Sequence, residues 1–278
     1  MTYFEDIMHQ LILCKVESPR LETRLLFAAA TKREPSKVFP DIILNENERK
    51  QMESMLKQRL KHKPLDKILG HREFYKADFT VNTDVLSPRP DTEILVEKAL
   101  QYMPENRCNV LDLGTGSGCI IESLLMEKTD AVGTAVDISE KSLNIARKNA
   151  ENLKISERIK FVCADWFNDD IIEKLGQKYD IIVSNPPYIP TGEISKLEPE
   201  VKNYDPMVAL DGGTDGLDSY RRIATIIREL LKKDGFILLE AGIGQATQIA
   251  DIFIAQKLKP VEIVADLNNI PRCVILQK

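Results

Sequence analysis

The stretch Val110–Ile121, with the sequence VLDLGTGSGCII, carries the signals of a strand, a glycine turn and a helix start, in that order. Glycine lets a backbone approach a ligand closely, and the first turn of the following helix offers free N–H groups. The spacing is G-x-G-x-G, so the third glycine of a dinucleotide fingerprint would fall at Cys119. The stretch therefore predicts a ligand-binding strand–loop–helix unit and disfavours a nicotinamide dinucleotide.

Two further predicted strands end in side chains suited to a nucleoside. Thr134–Asp137 ends in a carboxylate that can accept both ribose hydroxyls, although Asp137 could instead cap a helix or be a solvated loop acid. Ile159–Cys163 leads to Asp165 and to Trp166, the only tryptophan of the chain. The Trp166 ring can cover an adenine face, and its alternative is a place in the core or an interface.

The tetrapeptide Asn185-Pro186-Pro187-Tyr188 follows Tyr179–Ser184, an apolar run that predicts a buried strand. Two prolines end the strand, because each lacks an N–H and has a fixed φ. The Asn185 side-chain carbonyl and nearby backbone carbonyls can then hold a planar –NH2 group, and the Tyr188 ring can stack on its plane. The alternative is a proline-rich exit from a strand with no chemical role.

The N-terminal part of the chain has a helical repeat of apolar residues. Pro19 suits the first turn of a second helix, and Asn45 begins a capping signal for a third. We therefore predict a helical domain over residues 1–70. Glu73–Val81 contains β-formers in partial alternation, which predicts a hairpin within a linker over residues 71–89.

The remainder of the chain, residues 90–278, alternates helix and strand signals. Ser139 can cap a helix, and apolar runs at Phe236–Glu240 and Cys273–Leu276 predict later strands. This alternation predicts a Rossmann-like α/β domain with a mostly parallel sheet covered on both faces. Ligands of such sheets bind beyond the carboxyl ends of the strands. All four motifs fall there, at Gly114, Asp137, Trp166 and Asn185.

Composition limits the possible partners. The net charge of −5 weakens hypotheses that rely on bare nucleic acid, which usually requires a basic face. Five scattered cysteines without a C-x-x-C and three histidines without ligand spacing indicate neither a disulfide framework nor a metal site. No apolar run is long enough for a bilayer and no basic signal-peptide region is present, so we expect no membrane association and a cytoplasmic location.

One cluster of basic residues lies near the end of the helical domain. We interpret it as a solvated helix face, and the alternative is a patch that binds an acidic protein surface. Its members are Lys57, Arg59, Lys61, Lys63 and Arg72.

Together these motifs resemble the HemK/PrmC family of release factor glutamine methyltransferases over nearly the whole chain. The resemblance depends on the glycine loop, NPPYIP at Asn185–Pro190, and the proline-arginine-proline segment within Val85–Glu93. It also includes Ala135–Ser139 and Leu210–Leu217. This chain departs from the family pattern at three positions. The family commonly has an apolar residue where this chain has Ser87, a glycine near Lys76, and a glycine where this chain has Asn269. The last change is mild, because asparagine tolerates positive φ fairly well.

The resemblance implies S-adenosylmethionine as the cofactor and the glutamine of the Gly-Gly-Gln motif of class I peptide chain release factors as the methyl acceptor. It implies that the helical domain docks this protein substrate. We also expect no direct nucleic-acid contact and a monomeric enzyme. The alternatives are an adenine or guanine methyltransferase of nucleic acids and a non-catalytic cofactor-binding factor. The residues assigned to the cofactor are Gly114, Thr115, Gly116, Ser117, Gly118, Asp137, Asp165, Trp166 and Asn185. The residues assigned to the substrate are Asn185, Pro186, Pro187 and Tyr188, of which Asn185, Pro186 and Tyr188 are assigned to catalysis.

Overall fold

The N-terminal helices and a short segment from much later in the chain form the first of two structural units. A computed structural model describes residues 2–278. The first unit comprises the residues up to His71 together with Glu198–Tyr204, and the second comprises Arg72–Leu197 and Asp205–Lys278. The segment Glu198–Tyr204 lies within the predicted domain 90–278, whereas in the structure it groups with the first unit.

The helices and strands alternate through most of the chain. The helices are α1 (Tyr3–Leu13), α2 (Pro19–Thr31), α3 (Glu46–Arg59), α4 (Leu65–Leu69), α5 (Glu93–Tyr102), α6 (Cys119–Glu127), α7 (Glu140–Asn152), α8 (Ile171–Leu175), α9 (Pro199–Tyr204), α10 (Asp218–Leu230) and α11 (Ala246–Ala255). The strands are β1 (His71–Phe74), β2 (Ala77–Thr80), β3 (Asn109–Leu113), β4 (Val132–Asp137), β5 (Ile159–Cys163), β6 (Tyr179–Ser184), β7 (Leu231–Glu240), β8 (Lys259–Ala265) and β9 (Pro271–Gln277).

Helices α2 and α3 of the first unit begin where the sequence signals predict. Pro19 is the first residue of α2, and the Asn45 side chain accepts the N–H groups of Asn47 and Glu48 at 3.0 Å to cap α3. Helices α1, α2 and α3 each bury an apolar face in a shared core that includes Leu26, Phe27 and Met52. This confirms the predicted N-terminal helical bundle.

The second unit is built on a seven-stranded sheet with the order β5-β4-β3-β6-β7-β9-β8. The pairs from β5 to β7 are parallel, and β9 runs antiparallel to β7 and β8. Successive residues of β6 enter different cores: Ile181 and Val183 contribute to one and Ile182 to the other. Both faces of the sheet are therefore covered, which confirms the predicted Rossmann-like fold.

The linking hairpin packs with the second unit. The rings of Phe74 in β1 and Phe79 in β2 lie edge to face, with their centroids 6.1 Å apart, and belong to a core cluster of that unit. No helix among residues 2–278 combines the length and apolar character needed to cross a bilayer.

The sheet also fixes where a ligand can bind. From β3 the chain continues outward to β4 and β5, and it later returns to the other side of β3 as β6. The strand order therefore reverses between β3 and β6, and a crevice forms there at the carboxyl ends of parallel strands.

Candidate active site

A cavity of about 590 Å³ lies in the second unit at this reversal of strand order. Its volume falls within the range of roughly 300–1,000 Å³ typical of small-molecule sites. The glycine loop after β3, the end of β4, the segment after β5 and the exit from β6 all contribute to its wall. Of the residues that the sequence assigned to the cofactor, the wall includes Gly114, Thr115, Gly116, Ser117, Asp137, Asp165, Trp166 and Asn185, but not Gly118.

The glycine loop turns tightly over the end of β4. The N–H groups of Gly114 and Thr115 both donate to the Val136 carbonyl oxygen at 2.9 Å. Gly116 has a φ of +55°, and a Cβ added there would meet no atom within 4 Å. The backbone at Gly116 therefore borders open space in which a ligand can approach it directly.

Asp137, the last residue of β4, holds its carboxylate firmly at the cavity wall. One oxygen accepts the Gly116 N–H at 2.9 Å and the other accepts the Ser139 N–H at 2.9 Å. Burial raises the pKa of Asp137, while these two backbone hydrogen bonds act in the opposite direction. The cap of α7 is Ser139, which accepts the Ser142 N–H. Asp137 is thus a fixed acceptor with lone pairs left for further donors.

Trp166 belongs both to the core and to the cavity wall, so its two predicted roles are compatible in position. Its ring packs beside Gly114, where an added Cβ would lie 3.1 Å from the ring. The indole Nε1 is buried and has no hydrogen-bond partner among the described residues. Asp165, also on the wall, accepts the Phe167 N–H at 2.8 Å.

The tetrapeptide after β6 is divided between the cavity and the core. Asn185 and Pro187 line the wall, whereas Pro186 is buried and Tyr188 packs against the core next to Gly242. Burial, followed by the negative charge of Glu240, raises the pKa of Tyr188 to about 12, so its hydroxyl stays protonated. The roles assigned to Pro186 and Tyr188 stay predictions.

Several wall residues come from segments whose position sequence reasoning did not reveal. Residues 84–89 and Met207–Ala209 both line the cavity. Arg89, within the first of these, forms an ion pair with the buried Asp205 at 3.2 Å. Thr92 is also on the wall, and behind it lies Glu240 at the end of β7. The sequence contains one signal for Glu240: it is an acidic residue at the end of the apolar run Phe236–Glu240.

Comparison with protein families gives two matches that cover different parts of the chain. Residues 4–70 match the PrmC N-terminal domain, and residues 90–197 match the methyltransferase small domain. A solved methyltransferase structure from Pyrococcus furiosus superimposes with a TM-score of 0.55 at 17% identity, covering 72% of this chain and 88% of that one. At that identity the similarity concerns the fold alone.

Curated relatives match over most of the chain. The release factor glutamine methyltransferase of Rhodospirillum rubrum is 39% identical over 265 residues, which are 95% of this chain and 80% of that protein. The enzyme of the same name from Geobacter sulfurreducens is 40% identical, covering 93% of this chain and 89% of that protein. With such identity across most of both chains, the protein belongs to the release factor glutamine methyltransferase family.

Proposed function

We propose that this chain methylates the side-chain amide nitrogen of a glutamine, the one in the Gly-Gly-Gln motif of class I peptide chain release factors. The chain is an S-adenosylmethionine-dependent methyltransferase. The observation that carries the proposal is that one cavity joins the glycine loop to Asn185. A methyl donor on the loop side and an –NH2 group at Asn185 would share that cavity.

The wall residues fit the cofactor. Asp137 is anchored by two backbone N–H groups and suits the ribose hydroxyls, Gly116 leaves room for close approach, and Trp166 offers an aromatic ring for the adenine. When bound, S-adenosylmethionine supplies a methyl group made electrophilic by its attachment to a positively charged sulfur.

The tetrapeptide supplies the acceptors for the glutamine. Asn185 Oδ1 and the Pro186 carbonyl oxygen would accept the two amide hydrogens and direct the nitrogen at the methyl carbon. Proximity and orientation of this kind can supply on the order of 7–11 kcal/mol. No strong base would be required. As the methyl carbon left the sulfur for the amide nitrogen, that nitrogen would take the positive charge and become very acidic, so its excess proton would leave to water. Tyr188 would pack against the amide plane.

The proposal also concerns partners and location. The helical N-terminal unit would dock the protein substrate, and the enzyme would act as a monomer without contacting bare nucleic acid. The net charge of −5 supports the last point. A cytoplasmic location is supported by the cysteines at positions 14, 108, 119, 163 and 273, all of which are free thiols.

Transfer of radiolabelled methyl groups tests the function directly. The protein is incubated with labelled S-adenosylmethionine and, separately, with a release factor, its Gln→Ala variant, duplex DNA and ribosomal RNA. We expect label on the wild-type release factor alone. Asn185→Ala should reduce this labelling at least roughly a hundredfold, because it removes an oriented acceptor. Asn144→Ala, on an exposed face of α7, is the matched control and should keep it. Label on nucleic acid instead would overturn the proposal.

A further inference from the structure

Glu240 is a buried carboxyl group that the chemistry described above leaves without a role. It ends β7, next to the end of β6, and is only 3% exposed. Its Oε2 accepts the Thr92 hydroxyl at 2.6 Å. Thr92 is buried as well and lines the cavity, so Glu240 reaches the site through one intervening side chain.

The hydrogen bonds between these groups have a direction. Thr92 has one hydroxyl proton, which it donates to Glu240, so its oxygen can only accept from its other neighbour. That neighbour is Asn185, whose Nδ2 lies 3.4 Å from the Thr92 Oγ1. A hydrogen bond from Asn185 also stabilises the ionised form of Glu240. The Thr92 oxygen and the ionised Glu240 carboxylate both act as acceptors. They therefore hold the NH2 end of the Asn185 amide, and Oδ1 points away from them.

We propose that ionised Glu240, acting through Thr92, fixes the orientation of the Asn185 amide so that Oδ1 rather than Nδ2 meets the substrate –NH2 group. Glu240 is in this sense a positioning residue, since it does not line the cavity. The inference rests on the proposed function, because the direction of the amide matters only when the ligand donates hydrogens. In a reversed amide, Asn185 Nδ2 would face the substrate –NH2 group, and neither group could accept a hydrogen bond from the other.

The orientation depends on the protonation of Glu240. A protonated carboxyl can donate to Thr92, which frees the Thr92 hydroxyl to donate to Asn185 and so permits the reversed amide. Burial raises the pKa of Glu240 to about 7, against the opposing effects of the Thr92 hydrogen bond and the positive charge of Arg272. The active, ionised form is therefore populated above about pH 7 and is lost as the pH falls below it.

Other titratable and charged groups also face Glu240, and they do not change this expectation. Tyr220 donates its hydroxyl to the Glu240 backbone carbonyl at 2.7 Å, and Arg272 pairs with Asp91 at 3.3 Å. Burial raises the pKa of each neighbouring tyrosine and thiol, which therefore stay neutral near pH 7. These groups are Tyr188, Tyr220, Cys119 and Cys273.

The test measures kcat for release-factor methylation between pH 6 and 9, together with the Kd for S-adenosylmethionine and the melting temperature. Wild-type kcat should fall on the acid side with a midpoint near 7. Glu240→Gln should lower kcat at pH 8 at least roughly tenfold. It should also abolish the acid limb while leaving the cofactor Kd within about twofold, because the glycine loop, Asp137 and Trp166 are untouched.

Two further comparisons separate positioning from a general loss of structure. Thr92→Val should reproduce the Glu240→Gln defect, and Thr92→Ser should restore most of the rate because it keeps the hydroxyl. The matched control is Glu262→Gln in β8, whose carboxylate also accepts a hydroxyl hydrogen bond, from Tyr102, but does not line the cavity. It should retain both the wild-type rate and the acid limb.

Each outcome is decisive. A Glu240→Gln enzyme with wild-type kcat and an unchanged acid limb would overturn the inference. If that variant does not fold, equal rates for Thr92→Val and Thr92→Ser would overturn it instead. A wild-type enzyme that leaves the release factor unlabelled at every pH refutes the proposed function, and with it this inference, before any variant is compared.

Discussion

Asp137 is the residue on which cofactor affinity should depend most directly. Both of its carboxylate oxygens already accept a backbone N–H, which fixes their direction without exhausting their lone pairs. A ribose held by this group would make hydrogen bonds to a charged acceptor, which contribute about 1.5–3 kcal/mol. Asp137→Asn should therefore weaken S-adenosylmethionine binding by roughly 10- to 100-fold.

The single tryptophan provides the measurement. Because Trp166 lies on the cavity wall, its fluorescence should change saturably as the cofactor is added. The matched control, Asp130→Asn at an exposed position before β4, should leave the Kd unchanged. An unaltered Kd in Asp137→Asn would show that the ribose binds elsewhere.

At the scale of elements, the exit from β6 is held by the glycine-rich segment Leu210–Leu217. The Ile189 N–H donates to the Leu210 carbonyl at 3.0 Å, and the Gly212 N–H donates to the Ile189 carbonyl at 2.9 Å. A Cβ on Gly212 would lie 2.8 Å from both the Pro187 carbonyl oxygen and the Tyr188 Cα. Since backbone cannot move aside as a flexible side chain can, Gly212→Ala must displace the tetrapeptide.

A displacement of this kind should appear as lost turnover. A shift of about 1 Å at a reacting group can cost about a hundredfold in rate. We expect Gly212→Ala to reduce methyl transfer by that order while cofactor binding persists. Gly192→Ala, where the added Cβ meets nothing within 4 Å, should behave as wild type. Equal rates for the two variants would show that the contact does not position the tetrapeptide.

Elements specified by local signals were predictable from the sequence. The strands expected at 159–163 and 179–184 have those bounds in the structure, and Ser139 caps α7 as predicted. Asn269, where the family commonly has glycine, adopts a φ of +60°. Each of these features follows from a few neighbouring residues, through apolar runs, capping oxygens or tolerance of positive φ.

Features that join distant residues were not predictable in this way. Arg59 was expected on a solvated face, yet it is buried and pairs with Glu22 and with Glu200 of the late segment in the first unit. The Thr92–Glu240 hydrogen bond joins residues 148 positions apart. No local pattern encodes such pairs, because their partners are set by the tertiary packing.

For the whole molecule, buried carboxyl groups should make stability depend on pH. Asp112 and Glu122 are fully buried beneath the glycine loop, and neither oxygen of Glu122 has a hydrogen-bond partner among the described residues. Burial raises the pKa of Asp112 to about 7, and burial together with the charge of Asp112 raises that of Glu122 well above its usual value. Glu240 adds a third such group.

The sign of the effect follows from proton binding. At pH values between the ordinary carboxyl pKa near 4 and the raised pKa values, the folded chain keeps protons that the unfolded chain has released. The free energy of unfolding therefore falls as the pH rises. Each such proton contributes a slope of about 1.4 kcal/mol per pH unit. Carboxyl groups with a lowered pKa, such as Asp215 at about 2, change the free energy of unfolding only at more acidic pH. They do not alter its pH dependence above pH 5.

Urea unfolding at pH 5.5, 6.5 and 7.5 measures this slope. Wild type should lose stability steadily across the series, and Glu122→Gln should reduce the slope by up to about 1.4 kcal/mol per pH unit, because one retained proton is removed from the folded state. Glu151→Gln, at an exposed position on α7, should leave the slope as in wild type. The comparison uses slopes rather than absolute stabilities, so a packing defect in Glu122→Gln does not obscure it. If wild type were equally stable at all three pH values, the buried carboxyls would have to be ionised in the folded protein, with partners that compensate their burial.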